Sequence, residues 1–388
     1  MITVDEALHR CFALVAQMPV ETVALRHAAG RVMAQAATAR RDQPPFAASA
    51  MDGYAVQGDP RAGDSFAVIG EAGAGHAFRG TITAGQAVRI FTGAPVPQGA
   101  TRVIIQEDVI REGDTITLRD NADIGTHIRP AGQDFRAGDS LSPRLLRPND
   151  LALLAAMNIA EVTVTRRPVV ALIATGDELV MPGDDPGPDQ IIASNTFALA
   201  AMVEAAGGEA RILPIARDTE AELFTVLSMA EGCDLIVTIG GASVGDHDLV
   251  GRVAESMGLE RAFYKIAMRP GKPLMAGRLR GVPMLGLPGN PVSSIVCGHL
   301  FLLPMLRAML GLGRDAPVTR RSTLTVDLPA NGPRAHYMRA RLSPQGITPF
   351  DRQDSALITI LTEAEALLIR PISEGPLQAG AEVDYIPL

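Results

Sequence analysis

Between residues 168 and 311, short apolar runs alternate with segments long enough to form helices. The apolar runs predict buried strands at 169–174, 211–215, 235–239, 262–267 and 283–287. The intervening segments predict helices at 196–206, 219–231, 248–257 and 291–310. Strands and helices that alternate at this spacing are typical of a doubly wound parallel α/β sheet.

The flanking regions have different patterns. Apolar positions near a period of 3.6 residues predict a helix early in residues 1–40, and a second helix is predicted at 149–157. Between them, short apolar runs predict strands at 66–69, 87–92, 103–107 and 115–118. We therefore predict a discontinuous helical linker domain of residues 1–40 and 141–165, with an inserted β domain at 41–140.

The C-terminal region returns to short strands. They are predicted at 322–327, 337–342, 366–369 and 382–386, with turn residues between them. A small barrel or sandwich follows from this pattern, so we expect a C-terminal β domain at 316–388 after an α/β domain at 166–315.

The chain length and composition fit this division. The 388 residues predict roughly two to four domains of about 100–200 residues each. Hydrophobic residues make up 47% and charged residues 20%, which describes a globular protein. The net charge of −8 disfavours non-specific nucleic-acid binding, which requires a basic surface.

The cysteines and the apolar stretches bear on compartment. Cys11, Cys233 and Cys297 are far apart and form no CxxC pair, which disfavours a disulfide framework or a structural zinc site. The N-terminus lacks the hydrophobic region of a signal peptide. The stretches 151–157 and 300–306 are shorter than the ~18 residues of a membrane span. A cytoplasmic protein is expected.

Four polar loops follow predicted strands of the α/β domain. They are Thr175–Leu179, Gly240–Asp248, Arg269–Pro273 and Leu287–Pro291. Ligands of an open α/β sheet bind beyond the carboxyl ends of its strands. We therefore expect these loops to meet at one edge, where their carboxylates, glycine amides and cations suit an anionic ligand held partly through a metal.

The first two loops carry most of the carboxylates. Asp177 and Glu178 either hold a hard cation such as Mg²⁺ or cap a turn. Gly240 and Gly241 allow backbone amides to approach an anion, and Ser243 adds a hydroxyl. Asp246 and Asp248 follow at the start of a helix, where they either bind a ligand or cap the helix. His247 is either a ligand contact or structural.

The other two loops offer positive charge and a helix start. Arg269 and Lys272 flank a rigid Pro-Gly pair and suit oxyanions, unless the segment is only a surface turn. Pro288 and Asn290 lie in a loop that opens a helix, and a helix N-terminus favours negative charge. The loop by itself is equally consistent with an ordinary strand-to-helix connection.

Three further residues lie outside the α/β region. Asp52 precedes a glycine, Thr92 ends a predicted strand, and Asp134 lies in a loop, so each could be explained by turn chemistry alone. The sequence has no paired histidines at metal-ligand spacing, no nucleophilic triad and no Walker A motif.

The loops resemble those of the MoeA family, the molybdopterin molybdenumtransferases. The resemblance runs nearly end to end, and the order and spacing of its short motifs make it specific. The motifs are Ala29–Val32, Ser49–Val56, Arg89–Pro97, Thr175–Leu179, Ser194–Asn195, Gly240–Asp248, Lys265–Pro273 and Leu287–Pro291.

The resemblance implies a fold and an activity. It implies four domains, of which the α/β domain is the kind found in MogA and MoaB. It also implies a homodimer whose active site is shared between subunits. The implied substrates are adenylylated molybdopterin and molybdate. With Mg²⁺, AMP leaves and molybdenum enters the dithiolene, giving molybdenum cofactor. The implied partners are molybdopterin adenylyltransferase and acceptor molybdoenzymes. Neither a nucleic acid nor a membrane is an expected partner.

By motif match, the resemblance assigns functional positions to this chain. The implied catalytic residues are Asp52, Thr92, Asp134, Glu178 and Asp248, and the implied metal ligands are Glu178, Asp246 and Asp248. The implied substrate-binding residues are Gly240, Gly241, Ser243, Arg269, Lys272, Pro288 and Asn290. Arg269 departs from the family, which usually has lysine there, and a guanidinium binds oxyanions in a fork.

Three other functions share this fold. A molybdopterin adenylyltransferase has the same α/β domain but not the flanking domains. A non-catalytic scaffold would have no need for the carboxylates. A function specific for tungsten instead of molybdenum is also compatible with arginine at position 269.

Overall fold

The computed structural model describes residues 1–241 and 249–388. The chain forms two compact units. The large unit contains residues 1–21, 30–32 and 165–388, and the small unit contains residues 22–29 and 33–164.

The first helix and the small unit hold the first elements of the chain. The helices are α1 (Val4–Leu14) and α2 (Pro148–Ala156). The strands are β1 (Val20–Ala24), β2 (Ala37–Thr38), β3 (Ala48–Ser49), β4 (Gly53–Val56), β5 (Ser65–Ala72), β6 (Gln86–Ile90), β7 (Arg102–Ile105), β8 (Val109–Glu112), β9 (Thr115–Leu118), β10 (Ile128–Arg129), β11 (Ser140–Leu141) and β12 (Glu161–Thr165).

A six-stranded sheet dominates the small unit, in the order β7-β4-β6-β5-β9-β8. Its two faces bury separate apolar clusters, one around Tyr54 and Phe66 and the other around Ile82 and Ile90. The predicted β module is therefore present. Leu154 of α2 lies in a third cluster of the small unit, which contains no residue of this sheet.

The large unit continues with the α/β region. Its helices are α3 (Asn195–Ala205), α4 (Glu220–Ser228), α5 (Leu249–Ser256), α6 (Pro291–Cys297) and α7 (Leu303–Met309). Its strands are β13 (Val169–Ala174), β14 (Leu179–Val180), β15 (Ile191–Ile192), β16 (Glu209–Ile212), β17 (Leu235–Ile239), β18 (Leu259–Tyr264), β19 (Met268–Arg269), β20 (Met275–Leu279) and β21 (Val282–Leu287).

The central sheet of this region runs in the order β16-β13-β17-β21-β20-β18. The first four strands are parallel, and β20 is antiparallel to both β21 and β18. Helices α1, α3, α6 and α7 pack on one face, while α4 and α5 cover the other. The doubly wound α/β fold is confirmed, with an antiparallel edge that the sequence pattern did not indicate.

Two predicted strands shift along the chain. The strand expected at 211–215 spans Glu209–Ile212, and the strand expected at 262–267 ends earlier, at Tyr264. The second shift arises because Lys265 adopts a left-handed φ of 67°. The chain therefore turns there instead of extending the strand.

The C-terminal region of the large unit forms a small barrel. Its elements are β22 (Arg320–Thr323), β23 (Ala335–Ser343), β24 (Gly346–Pro349), α8 (Ile358–Glu363), β25 (Ala366–Arg370) and β26 (Glu382–Pro387). The strands pair in the order β23-β25-β26-β22, and β24 pairs with β23. A bridge between Leu324 and Ile347 joins the two ends, which closes the barrel around Leu324, Ala340 and Leu368.

The two helices predicted to build one linker domain pack in different cores. Ala7 and Cys11 of α1 lie in the same cluster as Leu172 and Val237 of the central sheet, whereas Leu154 of α2 lies in the small unit. The apolar face of α1 is buried against the α/β sheet, so α1 does not require α2 to cover that face. The predicted domain boundaries themselves stay predictions.

One described helical run has the length and hydropathy of a membrane span. It extends over Pro291–Met309 because α6 and α7 are joined by a π-helical turn, and it is longer than the apolar stretch 300–306. However, 78% of it is buried inside the protein, as in a core helix.

Candidate active site

The register of the parallel strands brings three of the polar loops to one edge of the sheet. Ala174 at the end of β13 lies beside Ile239 at the end of β17, and Ile239 lies beside Leu287 at the end of β21. The loops that follow these strands therefore start side by side, as the sequence pattern predicted.

A pocket of about 620 Å³ opens at this edge. All four loops contribute to its wall: Thr175, Gly176 and Glu178 from the first, Gly240 and Gly241 from the second, Pro273 from the third, and Pro288–Pro291 from the fourth. Ile191 and Ile192 of β15 add apolar surface. The pocket thus combines carboxylates, backbone amides and apolar walls.

The first loop depends on Gly176, which has a φ of 146°. A Cβ at this position would lie 2.4 Å from Oε2 of Glu178, because the Glu178 carboxylate folds back over the glycine. Glycine therefore lets the chain turn at the strand end and leaves Glu178 at the pocket wall.

Asp218 is a pocket residue that the sequence analysis missed. It immediately precedes the predicted helix 219–231, and the cap of α4 is Thr219, whose hydroxyl accepts from the Glu222 N–H. The sequence signal that could have found it is its position between the predicted strand 211–215 and the predicted helix 219–231. In the structure Ala216 bridges to Thr175 in parallel register, which puts this segment at the same edge of the sheet.

Asp218 and Asp177 hold their two loops together. The Asp218 N–H donates to Oδ1 of Asp177 over 3.0 Å, and the Arg217 guanidinium donates to the carbonyls of Asp177 and Leu179. Burial and the nearby charges of Asp177 and Glu178 raise the pKa of Asp218. Both effects disfavour the charged form of Asp218.

The second loop begins with two glycines in left-handed conformations, at φ 97° for Gly240 and 64° for Gly241. Cβ atoms on them would lie 3.1 and 2.9 Å from the Thr175 hydroxyl oxygen. The predicted site residues Ser243, Asp246 and Asp248, together with His247, lie outside the described residues.

Hydrogen bonds from two different segments of the chain hold the fourth loop in place. Asn290 stands at the N-cap of α6 but makes no side-chain cap bond; its Nδ2 donates instead to the Ser355 hydroxyl over 3.0 Å. The Ser355 carbonyl accepts from the Val292 N–H, and Asn195 Nδ2 donates to the Gly289 carbonyl. Ala356, next to Ser355, lines the pocket, so the barrel contributes to this wall, which the sequence did not reveal.

The third loop lies against the barrel. Met268 and Arg269 form β19, which pairs with β23, and only Pro273 of the loop is among the described pocket residues. Burial and the neighbouring charges of Arg334 and Arg370 lower the pKa of Arg269. Lys272 is half-buried, and its carbonyl accepts from the Ile266 N–H. Neither predicted cation is therefore among the described pocket residues, and Arg269 lies near the positive charges of Arg334 and Arg370.

The small unit brings Asp52 and Thr92 together. The backbone N–H and the hydroxyl of Thr92 donate to Oδ1 of Asp52 over 2.7 and 2.8 Å. These two hydrogen bonds lower the pKa of Asp52. Asp134 is exposed, and among the described residues no hydrogen bond or ion pair joins it to Asp52 or Thr92.

The predicted metal ligands are only partly visible. Among residues 1–241 and 249–388, no group of three or more histidine, cysteine or acidic side chains is arranged to hold a metal ion. Glu178 lies in the pocket wall, while Asp246 and Asp248 are outside the described residues. The metal set stays a prediction.

Three family models match successive parts of the chain. The "MoeA N-terminal region (domain I and II)" matches residues 2–158. The "Probable molybdopterin binding domain" matches residues 171–308, and the "MoeA C-terminal region (domain IV)" matches residues 321–388.

Relatives match over nearly the whole length. The "Molybdopterin molybdenumtransferase" of Nostoc sp. is 34% identical over 96% of this chain and 89% of the relative. The "Molybdopterin molybdenumtransferase 2" of Mycobacterium tuberculosis is 35% identical over 93% of each chain. A crystal structure titled as a molybdopterin biosynthesis MoeA protein from Pyrococcus horikoshii superimposes with a TM-score of 0.83 at 28% identity, covering 100% of both chains. The chain therefore belongs to the MoeA family.

Proposed function

We propose that this protein is a molybdopterin molybdenumtransferase, which inserts molybdenum from molybdate into adenylylated molybdopterin and releases AMP. The observation that carries the proposal is the pocket at the carboxyl edge of the sheet, where glycine backbone and carboxylates from separate loops meet. The names of the full-length relatives supply the substrate class.

The residues of the pocket suit a phosphoanhydride with a divalent cation. Glu178 lines the pocket, as does Asp218, whose pKa is raised by burial and, in addition, by the charges of Asp177 and Glu178, which a cation would offset. Mg²⁺ typically uses one or two carboxylates together with ligand phosphates. We therefore propose Mg²⁺ as the cofactor, held by Glu178 with Asp246 and Asp248. When bound, it would offset charge on the leaving phosphate.

The remaining predicted residues would bind and orient the substrates. Arg269 and Lys272 provide positive charge for molybdate or for a phosphate, and Arg334 adds to it beside Arg269. Gly240, Gly241, Pro288 and Asn290 would leave room for the ligand and contact it. Asp52, Thr92 and Asp134 would complete the site from a second subunit.

This function carries further proposals. The protein would act as a cytoplasmic homodimer with the active site shared between subunits. It would receive its substrate from a molybdopterin adenylyltransferase and pass its product to acceptor molybdoenzymes.

A reconstituted assay tests the proposal. Purified protein is supplied with adenylylated molybdopterin, Mg²⁺ and molybdate, and AMP release and molybdenum insertion are measured. We expect Glu178→Ala to abolish both without changing the unfolding midpoint, whereas Glu204→Ala, an exposed carboxylate on α3, leaves both intact. Normal insertion by folded Glu178→Ala would contradict the role of Glu178.

Two further assays separate the other functions: one supplies molybdopterin and ATP, and the other supplies tungstate together with molybdate. Consumption of ATP with adenylylation of molybdopterin would identify an adenylyltransferase, and inactivity of the wild-type protein would favour a scaffold. Preferential insertion of tungsten from tungstate would indicate that arginine, in place of the usual lysine at position 269, affects the selectivity for the metal.

A further inference from the structure

Thr175 carries a buried hydroxyl group that lacks a hydrogen-bond partner. The residue is 3% exposed, and its Oγ1 contacts neither a donor nor an acceptor among the described residues. Most buried side-chain polar atoms in proteins are paired, because an unpaired buried hydroxyl is destabilising. Thr175 is also one of the residues that line the pocket, so a group bound in the pocket is a candidate partner for this hydroxyl.

The neighbours of this hydroxyl are also unpaired hydrogen-bond donors. Gly241 and Gly289 line the same pocket, and neither backbone N–H has an acceptor in the described part of the chain. The Gly240 N–H, in contrast, is bonded to the Leu287 carbonyl.

The backbone segments that carry these donors lie close together. A Cβ on Gly241 would lie 2.9 Å from the Thr175 hydroxyl oxygen, and one on Gly289 would lie 3.4 Å from Cα of Gly240. A Cβ on Gly241 would also lie 2.1 Å from Cγ2 of Val250, so only glycine lets the backbone at this position lie so close to the Thr175 hydroxyl.

Amide N–H groups only donate, so the group that satisfies this cluster must be an acceptor. A phosphate oxygen fits, because successive backbone amides near a strand end bind anions. The nearby Glu178 would repel such an anion unless a divalent cation lay between them. Donors beside a carboxylate therefore suit a metal-bound phosphate.

We propose that the Thr175 hydroxyl donates a hydrogen bond to a phosphate oxygen of the nucleotide-linked substrate and thereby selects for the phosphate in this pocket. The proposal rests on the proposed function and assigns Thr175 a role in substrate binding beside the glycine amides.

The chain offers a matched control in Thr238. It is 1% exposed, and its Oγ1 likewise lacks a partner among the described residues, but it does not line the pocket. It lies on β17 beside Gly286, where a Cβ would be 3.4 Å from its hydroxyl oxygen. Thr175→Val and Thr238→Val thus remove equivalent buried hydroxyls, and only the first removes one from the pocket.

Binding of AMP and of adenosine in the presence of Mg²⁺ would be measured by calorimetry. We expect Thr175→Val to weaken AMP binding roughly 10-fold or more, the usual effect of losing a hydrogen bond to a charged group. Adenosine binding should be unchanged, Thr175→Ser should retain most of the AMP affinity, and Thr238→Val should bind AMP like the wild type. The ligand-free Thr175→Val protein should be at least as stable as the wild type, because it loses an unpaired hydroxyl.

Unchanged AMP affinity in Thr175→Val would overturn the proposal, as would equal weakening of AMP and adenosine or equal weakening by Thr238→Val. A loss of stability in ligand-free Thr175→Val would also count against it, because it would indicate that water already satisfies the hydroxyl. These results are separable from a failure of the proposed function. If AMP binds through Thr175 but molybdate-dependent AMP release is absent, the phosphate contact stands and the transferase assignment fails.

Discussion

The surroundings of Asp52 and Asp218 affect the ionisation of these two aspartates in opposite directions. Asp52 accepts two hydrogen bonds from Thr92, which stabilise its charged form and lower its pKa. Asp218 is partly buried beside Asp177 and Glu178, which destabilise its charged form and raise its pKa. Asp52 is therefore suited to remain an anion, whereas Asp218 is suited to gain a cation or a proton.

The hydrogen bonds to Asp52 predict the effect of Thr92→Val. This substitution removes the hydroxyl donor and retains the backbone N–H donor, so the pKa of Asp52 should rise but stay below its ordinary value. Because the folded-state pKa is lowered, Asp52 contributes stability above its unfolded pKa and loses it as the pH falls through the folded pKa. The substitution should therefore narrow the pH range between the folded-state and the unfolded-state pKa of Asp52, over which this stability is lost. Carboxyl-detected NMR titration measures the change.

Thr101→Val provides the control for this titration. The Thr101 hydroxyl bonds to Gly58 in the same unit and not to Asp52, so the pKa of Asp52 should be unchanged. An unchanged pKa in Thr92→Val would mean that the hydroxyl does not stabilise the carboxylate in solution.

Strand β4 is a secondary-structure element whose position depends on a single glycine. Gly53 follows Asp52 and lies between Ile90 of β6 and Ile105 of β7. A Cβ there would lie 1.9 Å from the Ile104 carbonyl oxygen, so the backbones of β4 and β7 approach more closely than any side chain would allow. The strand that carries Asp52 to the end of the sheet therefore requires glycine.

Gly53→Ala should lower the free energy of unfolding of the small unit by about 1–3 kcal/mol or more, because backbone atoms must separate to admit the methyl group. Gly73→Ala is the matched control in the same unit, since no atom lies within 4 Å of its Cβ position. It should change stability by less than about 0.5 kcal/mol. Urea unfolding measures both, and equal midpoints for the two variants would show that β4 and β7 can separate without cost.

The sequence predicted the elements of the α/β region well because their apolar runs are continuous. Val169–Ala174 and Leu235–Ile239 are buried strands with the predicted bounds. The strand Met275–Leu279 escaped prediction because it contains glycine and arginine within a short run beside a Pro-Gly loop. It pairs with two neighbours, so its conformation is set by the sheet and not by its own pattern.

The site could be predicted only where a motif follows a strand directly. Glu178, Gly240 and Asn290 were found in this way, and the pocket contains all three. Asp218 was missed because it falls in a short connection between a predicted strand and a predicted helix, and Ser355 was missed because it lies in the barrel region, far along the chain. Contacts between distant segments depend on tertiary packing, which no local pattern encodes.

At the scale of the whole molecule, the proposed catalytic residues divide between the two compact units. Glu178 belongs to the large unit, whereas Asp52, Thr92 and Asp134 belong to the small unit. The resemblance to the MoeA family implies that the residues of the small unit act together with the large unit of the partner subunit. Whether the site is shared between subunits can be tested whatever the angle between the units.

Subunit mixing tests this arrangement. Asp52→Ala and Glu178→Ala should each be inactive as homodimers, because every active site lacks one carboxylate. In a mixed dimer with a shared site, one site combines the intact Asp52 of one subunit with the intact Glu178 of the other, while the second site lacks both. Each mixed dimer should therefore regain about half of the wild-type molybdenum insertion per dimer.

Co-expression with two different affinity tags isolates the mixed dimer for this measurement, and insertion is assayed under the conditions used for the wild type. If both carboxylates instead belonged to a site within one subunit, every site of the mixed dimer would still lack one of them. Such a dimer would be as inactive as the two parents, and the shared site would be rejected. A mixed dimer of Asp52→Ala with Thr92→Ala is the control. Both substitutions fall in the same unit, so one site lacks Asp52 and the other lacks Thr92 in either arrangement, and no wild-type site forms.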